Sequence, residues 1–377
     1  MIFPFAAPRS GEFIAQACEH NKNVRLHFPQ KVSDQSQTDG YCRVCKKSYS
    51  GQRRWRQKPE ASRPFAIGNL DHIMTTLSRP DLSDIHRGDW VDRRLPIAWR
   101  PYTRLARLDR PVGIWLTLFP CWAALIQASH GLPDLRQLAI FSLGALLMRS
   151  AGSTVNDIAD RKFDGHVERT RFRPLASGEI ATLPAFVFLA VELTLAASLL
   201  FFLTPYTRLI AICVLPLVFV YPLCKRFTHW PQAVLGAAFN WGMLMAWGEA
   251  AGHIPVGAVL MWAGAIAWQI GYDTIYAYVD LKDDTRLGLK STAILFGRQG
   301  KTFIGLFYAL AVGAWSLGGW LLEMSPPYAI GMLVTAVHLA WQTRRIDLAR
   351  PDMNYRLFLA NILTGVLLAC TAFTGTW

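Results

Sequence analysis

From residue 110 onward the chain is a succession of long apolar runs divided by short polar loops, and this pattern limits the possible folds more than any other feature. A hydrocarbon core about 30 Å thick takes roughly 20 apolar residues of helix. By that measure the runs near 112–129, 137–155, 182–203, 208–223, 232–251, 255–278, 302–322, 327–343 and 356–376 each predict a crossing, the eighth being a short one. Backbone groups in lipid must be satisfied internally, which leaves helices or closed barrels. The alternation of a barrel strand is absent, so the expectation is an all-α, multi-pass bundle of nine transmembrane helices around a central cavity. Neither inverted halves nor helices broken near the midplane, both common in transporters, stand out.

The formal charge is +13, and where it lies matters more than its size. Arg161, Lys162, Arg169, Arg171 and Arg173 follow the second run, and Lys225 and Arg226 follow the fourth. Lys282, Arg286, Lys290, Arg298 and Lys301 follow the sixth, and Arg344, Arg345 and Arg350 the eighth. The alternate loops carry little beyond Arg136, Arg208, His253 and Glu323. Basic loops stay on the cytoplasmic side, which puts the N-terminus there and Trp377 opposite. A charge that alternates loop by loop is a topology signal, and nucleic-acid binding is set aside. The tryptophans Trp115, Trp122, Trp320 and Trp341 read as interfacial belt.

Residues 1–94 form a polar extension rich in Gln, Ser and Arg, predicted to be disordered or non-essential, and 95–377 form the membrane domain. Cys42 and Cys45 make a CxxC that Cys18 and His20 would complete as a zinc site, though the spacing suits bland thiols better. Met74 is an alternative start. The first residues lack a signal-peptide pattern or an Arg-rich, acid-poor leader, which favours a bacterial inner membrane over the mitochondrial one.

Two acidic clusters follow apolar runs. In NDIADRKFD, Asn156, Asp160 and Asp164 fall at i, i+4 and i+8 with Asp157 beside them, one stripe of a helix. In DLKDD, Asp280 and Asp284 are i, i+4 with Asp283 adjacent, and the stripe runs back to Tyr276 and Tyr272. Carboxylates at a membrane are costly and mark function; two of them 4 Å apart repel by about 4 kcal/mol at an effective dielectric near 20. Hard oxygen donors of this kind suit Mg²⁺ together with a phosphorylated substrate. Loop acids paired with Arg161, Lys162, Lys282 and Arg286 would explain either cluster alone, but two clusters at helix ends on one side favour a metal-assisted enzyme.

These residues resemble the UbiA superfamily of intramembrane prenyltransferases, with motifs NDxxDxxxD and DxxxD matched by Asn156, Asp157, Asp160 and Asp164 and by Asp280 and Asp284. The flanking stretches RSAGSTVNDIADRKFDGHVERTRFRPLASG, YPLCKRFTHWPQAVLGAAFNWG and YDTIYAYVDLKDDTRLGLKSTAILFG are similar to the branch that prenylates 4-hydroxybenzoate in ubiquinone biosynthesis. The resemblance covers roughly residues 95–377. It implies Mg²⁺ held by Asp157, Asp160, Asp164, Asp280 and Asp284, with Asn156 as a further donor, gripping a polyprenyl diphosphate. It also implies Lys225, beside Tyr221 in a YxxxK pattern, as the cation that meets the leaving diphosphate, with Arg226, Lys290 and Arg298 as lesser candidates. Tyr276, Trp241 and Phe239 would face the allylic cation. Arg110 or Arg149 would bind the acceptor carboxylate, and Asp280 would orient the phenol or take the ring proton. Asp157, Asp160, Asp280 and Lys225 are the catalytic candidates. Membrane lipid is the surrounding partner, and no obligatory protein partner is implied. The alternatives are another acceptor (homogentisate, haem, a naphthoate or a phosphosugar) or a membrane transporter.

Overall fold

The computed structural model describes Ile85, residues 88–167 and residues 169–377, so the zinc candidates Cys18, His20, Cys42 and Cys45 lie outside the described residues, as does Met74. Among the described residues every regular element is helical. Two short helices lead in, α1 (Trp90–Arg94) and α2 (Arg100–Leu105). Then come α3 (Val112–Ala128), α4 (Leu135–Asp164) and α5 (Thr182–Leu200). Four shorter helices follow, α6 (Pro205–Cys213), α7 (Leu215–Phe227), α8 (Pro231–Phe239) and α9 (Trp241–Ala251). The rest are α10 (Val256–Ala277), α11 (Leu281–Arg286), α12 (Thr292–Phe296), α13 (Gly300–Leu321), α14 (Pro326–Arg345) and α15 (Pro351–Thr374).

Among the described residues five stretches are long and apolar enough to cross a bilayer, namely Leu135–Asp164, Thr182–Leu200, Pro205–Phe227, Thr292–Leu321 and Pro351–Thr374. Large apolar side chains such as Leu183, Val187, Phe219, Leu306 and Leu363 point outward along these helices. Water would not tolerate such a surface, whereas lipid does. The chain is an integral membrane protein.

Two of the expected crossings are interrupted halfway, contrary to the sequence reading. The run near 208–223 is α6 and α7, joined at Val214. Pro216 sits in the first turn of α7, where its missing N–H and its ring end the preceding helix. The run near 232–251 is α8 and α9, joined at Asn240. The buried Asn240 side chain compensates there, its Nδ2 donating to the Gly236 carbonyl at 2.9 Å and to Gln269 Oε1 at 2.8 Å. A polar residue in mid-run was the available signal, and its low hydropathy cost hid it.

The most extensive helix pairing is α10 against α13. Gly257, Gly264 and Gly271 recur every seventh residue along α10 and face Gly318 with Leu322, Trp315, and Tyr308 in turn. A Cβ on Gly264 would lie 2.6 Å from Trp315 Cδ1 and 3.1 Å from the Ala311 carbonyl, and one on Gly271 would lie 2.4 Å from Tyr308 Cε1. Small residues permit this approach where lipid supplies no hydrophobic drive between helices. Gly236, also expected to serve packing, lies against the Ile266 backbone. Beside the pair, Trp268 Nε1 donates to Asn361 Oδ1 at 2.8 Å, and Asn361 Nδ2 donates to Gln342 Oε1 at 3.0 Å. Tyr308 adds a hydrogen bond to Gln342 Oε1 at 3.2 Å, so the Asn361 and Gln342 amides are satisfied within the bundle.

Candidate active site

At 30 residues α4 is about 45 Å long, well over the hydrocarbon thickness. Its C-terminal turns therefore project from the membrane and carry Asn156, Asp157, Asp160 and Asp164. The second motif begins at Asp280, just past the C-terminus of α10, and continues along α11. The first sits where helix carbonyls already concentrate negative charge, so the macrodipole opposes it, whereas Asp283 and Asp284 lie in the first turn of α11, where the macrodipole favours them. Such a site attracts cations.

The chain answers with arginines that are not neighbours in the motifs. Arg107 Nη2 donates to Asp157 Oδ1 at 2.6 Å. Arg173 Nη1 bridges Asp157 Oδ1 at 3.2 Å and Asp164 Oδ2 at 3.0 Å. Asp157 is fully buried, and its other oxygen has no hydrogen-bond partner. Arg169 takes the second motif, with Nε on Asp280 Oδ1 at 2.6 Å, Nη2 on Oδ2 at 2.5 Å, and Nη1 on the Tyr276 hydroxyl at 2.6 Å. Its guanidinium also lies 5.0 Å from the Tyr276 ring centroid. From the other side, Arg286 Nη2 donates to the His166 carbonyl at 2.9 Å. The loop after the first motif is thus stitched to the second motif.

Lys225 stands within electrostatic reach of Asp160, Asp280 and Asp284, and of Tyr221 one turn before it. Burial pushes the Asp284 carboxyl up to about 6 against the opposing pull of the Lys225 ammonium. Deeper on the same face of α10, seven residues before Asp280, lies Asp273, within reach of Lys225, Arg149 and Asp280. Arg149 occupies the next layer. Its Nη1 donates to Ser153 Oγ at 2.8 Å, its guanidinium lies 5.0 Å from the Phe239 centroid, and its Nε is buried without a partner. Gly113 makes room for it, since a Cβ there would meet Arg149 Nε at 2.3 Å. Tyr221 and Phe239 pack at 6.3 Å, closing this layer.

Other expected residues are placed elsewhere. Arg226 and Arg298 are exposed, and the Lys290 ammonium sits on the Phe227 carbonyl at 3.1 Å, tying the second loop to α7. Arg110 is beside Asp109 at 3.6 Å. Trp241 donates to the Ile210 carbonyl at 2.8 Å and stacks edge-on against Trp262, a packing role. Tyr272 is core, against Trp268 and Phe358. Of the belt tryptophans, Trp320 is the most outward, while Trp122 hydrogen-bonds Ser142. Sequence reasoning missed Arg107 and Asp273, and it took Arg169 and Arg173 for topology charges. An excess of arginine in the loop directly after an acidic motif was the signal for the latter two.

A model of the UbiA prenyltransferase family matches residues 117–365, about two thirds of the chain. The chain belongs to the UbiA prenyltransferase family. Among relatives of this UbiA protein, a 4-hydroxybenzoate octaprenyltransferase of Azotobacter vinelandii is 42% identical over 284 residues, covering 74% of this chain and 96% of the relative. A mitochondrial 4-hydroxybenzoate polyprenyltransferase of Rattus norvegicus is 42% identical over 276 residues, covering 72% and 74%. Solved UbiA structures share the fold. A homologue from Aeropyrum pernix aligns with a TM-score of 0.59 at 23% identity over 68% of this chain and 96% of its own. Another from Archaeoglobus fulgidus, bound to GPP and Mg²⁺, gives 0.58 at 19% identity over 73% and 99%.

Proposed function

We propose that this UbiA protein transfers a polyprenyl group from polyprenyl diphosphate to the ring carbon ortho to the hydroxyl of 4-hydroxybenzoate, giving 3-polyprenyl-4-hydroxybenzoate. The observation that carries the reading is the meeting of the two aspartate motifs, through Arg169 on Asp280 and Arg286 on the His166 carbonyl. Named relatives in bacteria and animals support the choice of acceptor. The activity belongs to residues 95–377, read as nine crossings around a cavity open to the basic-loop side.

Among the described residues, no three His, Cys, Asp or Glu side chains form a ready-made chelate. Mg²⁺ does not need one, because it takes one or two carboxylates and completes its shell with phosphate and water. The residues fit that requirement, with hard oxygens in two motifs and a buried Asp157 oxygen still without a hydrogen bond. Asp157, Asp160 and Asp164 with Asn156 would hold one ion, and Asp280 with Asp284 another. Bound there, the metal neutralises charge on the departing diphosphate.

The rest of the work falls to side chains already in place. Lys225 meets the diphosphate as the C–O bond breaks, with charge stabilised where it develops. The faces of Tyr221, Phe239 and Tyr276 flank the allylic cation. Arg149 takes the acceptor carboxylate, and its place over the Phe239 ring at 5.0 Å, in the layer beneath the motifs, favours it over Arg110, which lies beside Asp109. The acceptor's phenol then points toward Asp280, which orients it and accepts the ring proton once the new C–C bond has formed. Mass spectrometry of products from 4-hydroxybenzoate and a series of prenyl diphosphates, with and without Mg²⁺, tests the assignment. Absence of prenylated 4-hydroxybenzoate from a folded protein supplied with Mg²⁺ would overturn it.

A further inference from the structure

We propose that residues 90–99 form an interfacial wedge that seats in the headgroup layer of an anionic leaflet, next to the point where the chain enters the membrane. The segment sorts its side chains sharply. Its acids turn inward. Asp92 Oδ1 accepts from Arg104 Nη2 at 2.8 Å, Asp92 Oδ2 accepts from the Gly88 N–H at 2.7 Å, and Asp89 caps α1 through the Asp92 N–H at 3.1 Å. Arg104 is itself buried, and Val91 and Leu105 are fully so.

The outward side carries the opposite selection. Ile97 is 78% exposed, Trp99 68% and Trp90 43%, and Arg93 and Arg94 are exposed among them. Paired acids inside and arginines outside leave this surface positive. Tryptophan and isoleucine between arginines make a poor face for water but a good one for headgroups, where aromatic rings settle and each basic residue near an anionic surface gains about 1 kcal/mol.

The location supplies the membrane. Residues 106–111 lead directly from α2 into α3, and Arg107 reaches Asp157 at the membrane-exit end of α4. The wedge therefore lies on the same face as both aspartate motifs. It stands whatever the acceptor turns out to be.

The test uses the intact protein in nanodiscs of phosphatidylcholine alone and of phosphatidylcholine with about one third phosphatidylglycerol. Hydrogen–deuterium exchange in peptides covering 90–99 should slow roughly tenfold or more in the anionic discs, in line with two arginines at the surface. The Arg93→Glu, Arg94→Glu double variant should lose that difference while peptides from α10 and α13 exchange as before. In a chain with its native cysteines replaced by alanine, a polarity-sensitive dye on Ile97→Cys should be quenched by doxyl-labelled lipid. Exchange that is equally fast in both discs, or protection that ignores lipid charge, as a protein partner or plain packing would give, overturns the proposal.

Discussion

Arg169 holds Asp280 with two parallel N–H···O bonds, Nε to Oδ1 at 2.6 Å and Nη2 to Oδ2 at 2.5 Å, although 111 residues separate them in sequence. A fork of this shape is a guanidinium property that an ammonium does not reproduce. Arg169→Lys should therefore lower kcat/KM by roughly 10- to 100-fold with charge conserved, and Asp280→Ala by about 1000-fold or more. Steady-state kinetics with both substrates varied reads both. Equal activity of the lysine variant would show that only charge matters there.

Arg149→Ala should raise KM for 4-hydroxybenzoate by roughly 100-fold, as expected for loss of a charge-assisted contact to a carboxylate, and leave KM for the prenyl diphosphate within about twofold. Arg110→Ala should do neither. Separate titrations of the two substrates distinguish the arginines.

The Asp284 carboxyl, lifted to about 6 by burial, predicts a pH-dependent metal requirement. Between its ordinary 3.8 and about 6 the folded chain binds this proton more tightly than the unfolded chain, so this group's contribution to stability falls as pH rises through that window. Mg²⁺ held there as proposed would bind the anion and would have to displace the proton. Below pH 6 the apparent Mg²⁺ affinity should drop by up to about tenfold per unit, and Asp284→Asn should flatten the curve. Isothermal titration at several pH values measures it.

Gly264→Ala should destabilise the bundle by about 1–3 kcal/mol, because the added carbon meets Trp315 at 2.6 Å and the Ala311 carbonyl at 3.1 Å. Gly313→Ala, with nothing within 4 Å, should be close to neutral. Unfolding in detergent, followed by circular dichroism, compares the two.

Much of this was legible in the residues. Apolar run length located the helices, since burying backbone in lipid leaves few options, and i, i+4 spacing placed Asp160 and Asp164 on one face. The breaks at Val214 and Asn240 were not legible, because one proline or asparagine hardly alters the hydropathy of a long run. Nor were the counter-ions of Asp157 and Asp280. Arg107, Arg169 and Arg173 reach them through tertiary folding, and a count of basic residues per loop does not say which of them turns inward.

The glycine stripe on α10 has a reach beyond packing. Three contacts at seven-residue intervals act like the teeth of a rack, so α10 cannot slide along α13 by one residue, about 1.5 Å, without a collision at every tooth. Asp280 rides at the end of that rod, so its height opposite the other motif is set by Gly257 some 35 Å away, near the far leaflet.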